Sequence, residues 1–485
     1  MRVAWVYPPF TEGVPQLTQN RFFKWTKSYD VLIYPIIPAS ACTLLENEAF
    51  KVKFIDATAM RLSKGRFVKD LGAFSPEIVF MEAKTPVIRH IWHVADELRS
   101  ILPDVKTALC GDHVSVLPKE SLEKCKAVDY VITGGDYDIL ALQLAKSLRD
   151  EGDIPRGIWY RNNGKIATTG PFKLMKDLDS LPYIDRVLVP WRLYHESWRL
   201  YDEFFYIMSG RGCYARCNFC SWPSMLFNYN FRLRTAENVI GEIQQLTEKY
   251  GAKEIFDDLD TWPARSAWAT KFCQLMIENG LDEEVIWNIN ARADDLQNSE
   301  MLKLMKKAGC RVLKIGVESA SQETLNRIRK KMTLEQIRDA VRNCRKSGLT
   351  VHLTAMFGYP WETRRDALRT IKFIKSLKPD SVQFSMITPY PGTELYEEAL
   401  EKGWFRIDPE EWDEFDMNQP VLKTGDMTPE EVVDLFVKAW RDLYFSPSYM
   451  ARQIWGLRSW RHLKLLVRGA KAVVRAHLAG AEKGK

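Results

Sequence analysis

The chain has 485 residues, 46% hydrophobic and 27% charged, a composition that argues against disorder, collagen and coiled coil and fits two or three folded domains. Its 69 Lys and Arg against 63 Asp and Glu give a net charge of +6, yet the last 35 residues alone hold nine basic residues and one acidic, Glu482, so the remainder is slightly acidic. This argues against a basic body that binds nucleic acid. No run is apolar enough for a membrane span, since the most apolar, Val31 to Leu45, is short and broken by Pro35 and Pro38.

Met1 to Tyr7 enters a strand directly, without the features of a signal peptide, and nine cysteines, an odd number, suggest reduced thiols in a cytoplasmic setting. Residues 1–150 alternate strand-like runs (Val3–Tyr7, Val52–Asp56, Ile78–Glu82, Thr107–Cys110, Tyr130–Thr133) with helical stretches. That alternation predicts a doubly wound, Rossmann-like α/β domain with a parallel sheet. Ligands of such sheets bind beyond the strand carboxyl ends, which here read Tyr7-Pro8-Pro9, Ala83-Lys84-Thr85, Gly111-Asp112-His113 and Gly134-Gly135-Asp136.

Residues 151–200, rich in Pro, Gly and aromatics, read as a connector with a small hairpin around Arg161 to Gly164. Between 201 and 400 the alternation returns. Strands are expected at Phe204–Met208, Glu254–Asp257, Ile286–Asn290, Val312–Val317, Val351–Phe357 and Ser381–Met386, the first helix opening at Thr235. Six units predict an open, partial (β/α)6 barrel with its chemistry at the strand carboxyl ends. Residues 401–485 are read as a helical region.

Directly after the first of these strands stands Gly212-Cys213-Tyr214-Ala215-Arg216-Cys217-Asn218-Phe219-Cys220. Three thiolates on one tight loop can ligate three irons of a four-iron cluster and leave the fourth open. A structural zinc site would want a fourth ligand that is not nearby. Cys42, Cys110 and Cys125 read as buried core residues.

The C-x3-C-x2-C loop, with Phe219 before its last cysteine, resembles the signature of the radical S-adenosylmethionine (SAM) enzymes. In that family the open iron of a [4Fe-4S] cluster is chelated by SAM, whose reductive cleavage yields a 5′-deoxyadenosyl radical. Other segments resemble the family in order along the barrel. Asp257 and Asp258 match the segment that holds the SAM amino group, and Arg292 offers a guanidinium for its carboxylate. Glu318 and Ser319 match the segment near the ribose and carboxylate.

Phe357 to Pro360 and Thr388 to Thr393 resemble late loops of one subgroup, which carries an N-terminal cobalamin-binding domain. The resemblance then implies cobalamin contacts at Pro8, Pro9, Thr85, Gly111, Asp112, His113, Gly134, Gly135 and Asp136. The loop after the first strand lacks the histidine that many cobalamin proteins place under the cobalt, and His113 reads as a polar contact and not a ligand.

The resemblance implies methylation of an unactivated carbon on a small-molecule or lipid substrate, with a reducing electron donor as partner. Ring formation or oxidation without methylation is the alternative, and a non-catalytic cobalamin or redox sensor a third. His90, His93, His195 and His352 read as ordinary polar packing. Trp222, Trp262 and Trp361, each following a motif, read as pocket walls or as core.

Near the end, Trp460, Leu463, Val467, Ala470 and Val474 recur at helical spacing, and Arg461, Lys464, Arg468, Lys471 and Arg475 follow one residue behind. A basic amphipathic helix over 459–479 fits docking on the barrel, contact with a membrane surface at its inner face, or an acidic partner.

Overall fold

Two largely parallel sheets, with the loops at their carboxyl edges packed together, make up the body of the protein. The computed structural model describes residues 1–9, 16–17, 24–25, 31–457 and 459–482, with backbone alone for 16–17, 24–25 and 472–482. The side chains of Val474 and Arg475, invoked above, therefore lie outside the described residues.

The first sheet contains β1 (Arg2–Tyr7), β2 (Lys51–Asp56), β3 (Ile78–Glu82), β4 (Lys106–Cys110), β5 (Tyr130–Ile132), β6 (Ile158–Asn162) and β7 (Lys165–Thr168), in the order β2-β1-β3-β4-β5-β6-β7. The first five are parallel. Val3, Ala4, Trp5 and Val6 are all buried, the continuous apolar run of a strand covered on both faces.

The hairpin expected in the connector forms, but it belongs to this sheet, with β6 antiparallel to β5 and β7 to β6. Asn163 and Gly164, at φ 48° and 78°, supply the two left-handed residues that a tight hairpin requires, and β6 covers the edge that β5 would otherwise expose.

The apolar run noted at Val31 to Leu45 supplies most of helix Ile36–Asn47, whose residues from Ile36 to Thr43 are all buried. Pro38 is tolerated in its first turn, where backbone N–H groups lack helical partners anyway. Ser40 Oγ donates to Asp138 Oδ2 (2.7 Å), and Thr43 Oγ1 accepts from the Asp185 N–H (2.9 Å).

The second sheet is an open six-stranded barrel in sequential order, all parallel: β8 (Phe204–Ile207), β9 (Glu254–Asp257), β10 (Ile286–Ala291), β11 (Cys310–Glu318), β12 (Thr350–Phe357) and β13 (Ser381–Met386). Its helices begin where side chains satisfy free N–H groups. Thr235 caps helix Ala236–Tyr250 through the Asn238 N–H, and Thr363 with Asp366 forms a capping box for Arg364–Leu377. Helix Pro429–Tyr444, opened by a Thr428–Glu431 box, packs on β13, where Tyr444 Oη donates to the Val382 carbonyl (2.8 Å).

A buried ion network joins the two sheets. Arg211, just before the cysteine loop, donates Nη1 to Asp136 (2.8 Å) and Nη2 to Asp138 (2.6 Å), while Arg232 donates to both oxygens of Asp136 (2.7 and 2.9 Å). Burial works against the charge of Asp136, yet Arg232 and Arg211 hold its carboxyl below the usual range.

Candidate active site between the two sheets

The cysteine loop is closed at its base by a short antiparallel ladder of Gly210–Arg211 on Arg232–Leu233. Gly212 follows at φ +89°, and a Cβ there would stand 2.1 Å from the Asn230 carbonyl, so only glycine passes. Asn218 pins the middle of the loop. Its N–H donates to Ile328 O (3.2 Å), its side-chain amide to Arg327 O (3.1 Å), and its carbonyl accepts from the Leu395 N–H (3.1 Å).

Cys213 and Cys217 are buried and Cys220 half-buried. Burial pushes the Cys213 and Cys220 thiols up, and each is raised further by the field of Cys217. Bare thiolates are disfavoured there, and bound iron supplies the positive charge that reverses this. Three thiols on one loop, two buried and one half-buried, are a donor set that fits a cluster held by three cysteines. Thr261 Oγ1 lies 3.1 Å from Cys213 Sγ. Phe219 is half-buried against the core.

The expected SAM residues fall on adjacent strands at the same mouth. Asp257 ends β9, where its Oδ1 accepts from the N–H groups of Ser209 (3.0 Å) and Leu259 (3.3 Å). Burial pushes its carboxyl up to about 6, and its Oδ2 has no hydrogen-bond partner among the described residues. A buried acceptor of that kind suits a cationic amine. The neighbouring Asp258 is held by Asn290 Nδ2 (3.4 Å).

Arg292 follows β10 and is partly committed, with Nε to Asp294 (3.0 Å) and Nη2 to the Lys330 carbonyl (2.7 Å). Ser319 is buried, its Oγ accepting from the Ser321 N–H (3.1 Å).

Glu318 sits in the left-handed region, at φ 64°, and its Oε1 accepts from Lys330 Nζ at 2.6 Å. Lys330 was not singled out in the sequence. It is buried between Arg329 and Lys331, both left-handed, a strained segment of the sort found at working sites. Burial opposes its charge, but Glu318 and Cys217 outweigh this and hold the ammonium above its usual range. Gly316 makes room for the pair, since a Cβ there would come within 2.3 Å of Glu318 Oε1 and 2.7 Å of Lys330 Nζ. Tyr359, fully buried, stacks on Trp361 with ring centres 5.6 Å apart.

The expected cobalamin residues line the facing edge of the first sheet, several of them already in contact with other parts of the chain. Gly134 and Gly135 provide close packing, because a Cβ on them would meet the rings of Phe172 (2.5 Å) and Phe227 (2.2 Å). Asp136 has both oxygens engaged by arginines of the barrel side.

His113 is buried, with Nδ1 3.1 Å from Thr85 Oγ1, Nε2 2.9 Å from Glu120, and its ring edge-on to Trp412. Gly111, at φ +111°, could not carry a Cβ without meeting the Ala83 carbonyl at 2.9 Å. Asp112 accepts from the His113 N–H with Oδ1, while its buried Oδ2 has no partner among the described residues. That leftover acceptor fits the amide donors that rim a corrin. Pro8 and Pro9 follow β1, which β3 separates from β4 in the strand order, and Pro9 O lies 3.2 Å from His90 Nε2.

Of the three tryptophans, Trp262 is core, packed among Trp268, Phe272 and Trp287. Trp222 faces the first sheet, with Lys84 Nζ 5.1 Å from its ring centre.

The family model for the radical SAM superfamily matches residues 207–374, and that for the B12 binding domain residues 30–142. An uncharacterized methyltransferase of Pyrococcus horikoshii is 32% identical over 409 residues, covering 84% of this chain and 87% of its own. The anaerobic magnesium-protoporphyrin IX monomethyl ester cyclase of Cereibacter sphaeroides is 25% identical, with 92% of this chain and 70% of its own covered. A solved structure of the radical SAM methyltransferase TsrM from Kitasatospora setae, with cobalamin and a 4Fe-4S cluster bound, shares the fold. Its TM-score is 0.65 at 18% identity, over 84% of this chain and 80% of that one.

The fold and the paired domains thus define a cofactor-dependent radical enzyme. The chain belongs to the cobalamin-dependent radical SAM enzymes, and its cofactors are a 4Fe-4S cluster, SAM and cobalamin.

Proposed function

We propose that this enzyme methylates an unactivated carbon of an apolar small molecule held between the two sheets. One observation carries the reading: the segment leaving the cysteine loop lies directly on the carboxyl edge of the first sheet. Leu226 O accepts from the Gly135 N–H (2.7 Å), and the Trp222 ring covers Lys84. When bound, the cluster and SAM supply a hydrogen-abstracting radical and cobalamin the methyl group.

The protein's part is placement. Cys213, Cys217 and Cys220 hold the cluster. Asp257, Asp258, Arg292 and the Glu318–Lys330 pair receive the amino and carboxylate ends of SAM, with Phe219 and Ser319 shaping that side of the mouth. Pro8, Pro9, Thr85, Gly111, Asp112 and His113 form the cobalamin side. Trp222 and Trp361, the latter backed by buried Tyr359, exclude water and present apolar surface to substrate. The names of the Pyrococcus relative and of TsrM support methyl transfer.

Ring formation without methylation is the second reading, favoured by the likeness to the Cereibacter cyclase over 92% of this chain. Anaerobic reconstitution with iron, sulfide, cobalamin and methyl-labelled SAM, followed by mass analysis of products from host extract, separates the two. Methyl transfer yields S-adenosylhomocysteine together with 5′-deoxyadenosine and a labelled product. Deoxyadenosine without S-adenosylhomocysteine overturns it in favour of the cyclase-like reaction.

A further inference from the structure

Helix Trp460–Glu482 docks on the body by the side opposite its sequence-apparent apolar stripe. Half-buried Leu465, Leu466 and Gly469 face inward, and Arg468 Nη2 donates to the Arg199 carbonyl (2.7 Å). Trp460, Leu463, Val467 and Ala470 are exposed, interleaved with exposed Arg461, Lys464 and Lys471. The preceding helix, Pro447–Trp455, also exposes large apolar side chains, Met450, Ile454 and Trp455.

The degree of exposure is decisive. Trp455 is 90% exposed, Trp460 69% and Ile454 60%, whereas single scattered apolar residues are the norm on a protein surface. Charge completes the pattern, because no acidic residue occurs between Asp442 and Glu482 while the rest of the chain is slightly acidic. No described helix is long and apolar enough to cross a membrane.

We propose that Met450 to Lys471 form an interfacial surface for anionic phospholipid, the indoles of Trp455 and Trp460 entering the headgroup layer and Lys464 and Lys471 pairing with phosphate. Indole rings favour that layer because one edge is apolar and the other donates a hydrogen bond, and lysines beside them add attraction to negative headgroups. The inference does not depend on the reaction proposed above, and vesicle binding is read without turnover.

The full-length reconstituted protein is co-sedimented with vesicles of phosphatidylcholine alone and of phosphatidylcholine mixed with phosphatidylglycerol. It is expected to bind the mixed vesicles, more weakly as salt rises, and to leave the neutral ones largely free. The double variants Trp455→Ala/Trp460→Ala and Lys464→Glu/Lys471→Glu, both on exposed positions and checked for unchanged circular dichroism, should each lower the partition at least about tenfold. The proposal is overturned if the wild type ignores mixed vesicles or if folded variants bind them equally. It is likewise overturned if the tryptophan variant only converts a dimer to a monomer, which would assign the patch to a second copy of the chain.

Discussion

Glu362 shows what a single buried carboxyl costs. It lies behind the mouth, with Oε2 accepting from the Gly358 N–H (2.7 Å) and Oε1 without a partner among the described residues. Burial, with Asp366 and Asp426 adding, pushes its carboxyl up to about 8. Because the folded protein holds this proton more tightly than the unfolded chain, its contribution is full below about pH 4.5 and is lost as pH rises to 8. Glu362→Gln keeps the acceptor without the charge. Its advantage in thermal stability over wild type should be negligible at pH 4.5 and grow to about 2–4 kcal/mol by pH 8.5; parallel melting curves across that range would refute it. At Gly316 the relevant quantity is space. Gly316→Ala should displace the Glu318–Lys330 pair, whose flexible ends can move, so iron content and fold persist while SAM binding weakens at least about tenfold. Titration of the reconstituted variant with SAM checks this.

Among elements, the joint between the sheets matters most. Strands β8 and β5 are each held within their own sheet, and what fixes one sheet against the other includes Arg211 and Arg232 reaching across to Asp136 and Asp138. A buried pair contributes little relative to an apolar substitute, but removing one partner strands the others. Arg211→Ala leaves Asp138 without its main counter-charge and should lower stability by about 3–5 kcal/mol. Differential scanning calorimetry would register this as earlier unfolding. The same joint uses Gly135 for contact with Phe227, which follows the cysteine loop, while Gly134 packs on Phe172 beyond β7 of its own sheet.

For the molecule as a whole, legibility followed sequence distance. The strands of both sheets stand out as apolar runs, and the three cysteines identify the mouth, because both signals are local. The Glu318–Lys330 pair spans twelve residues with a helix between, so nothing near Lys330 marks it. The contacts of Asp136 and the two glycines beside it with Phe172, Phe227, Arg211 and Arg232 come from distant segments and leave no local mark. The hairpin Ile158–Thr168 was visible through Asn163-Gly164, but its membership of the first sheet depended on the free edge of β5. The stripe beginning at Trp460 was visible too, yet which face docks was decided by packing against the body.

The cysteine-loop segment packs on the carboxyl edge of the first sheet, which would bring the cluster and cobalamin close together. Electron paramagnetic resonance of the reconstituted enzyme, with cobalt as cob(II)alamin and the cluster reduced, tests it most directly. The account predicts magnetic coupling that alters the cobalt signal when the cluster is reduced and that vanishes in Cys213→Ala/Cys217→Ala/Cys220→Ala protein still loaded with cobalamin. A cobalt spectrum identical with and without the reduced cluster would contradict it.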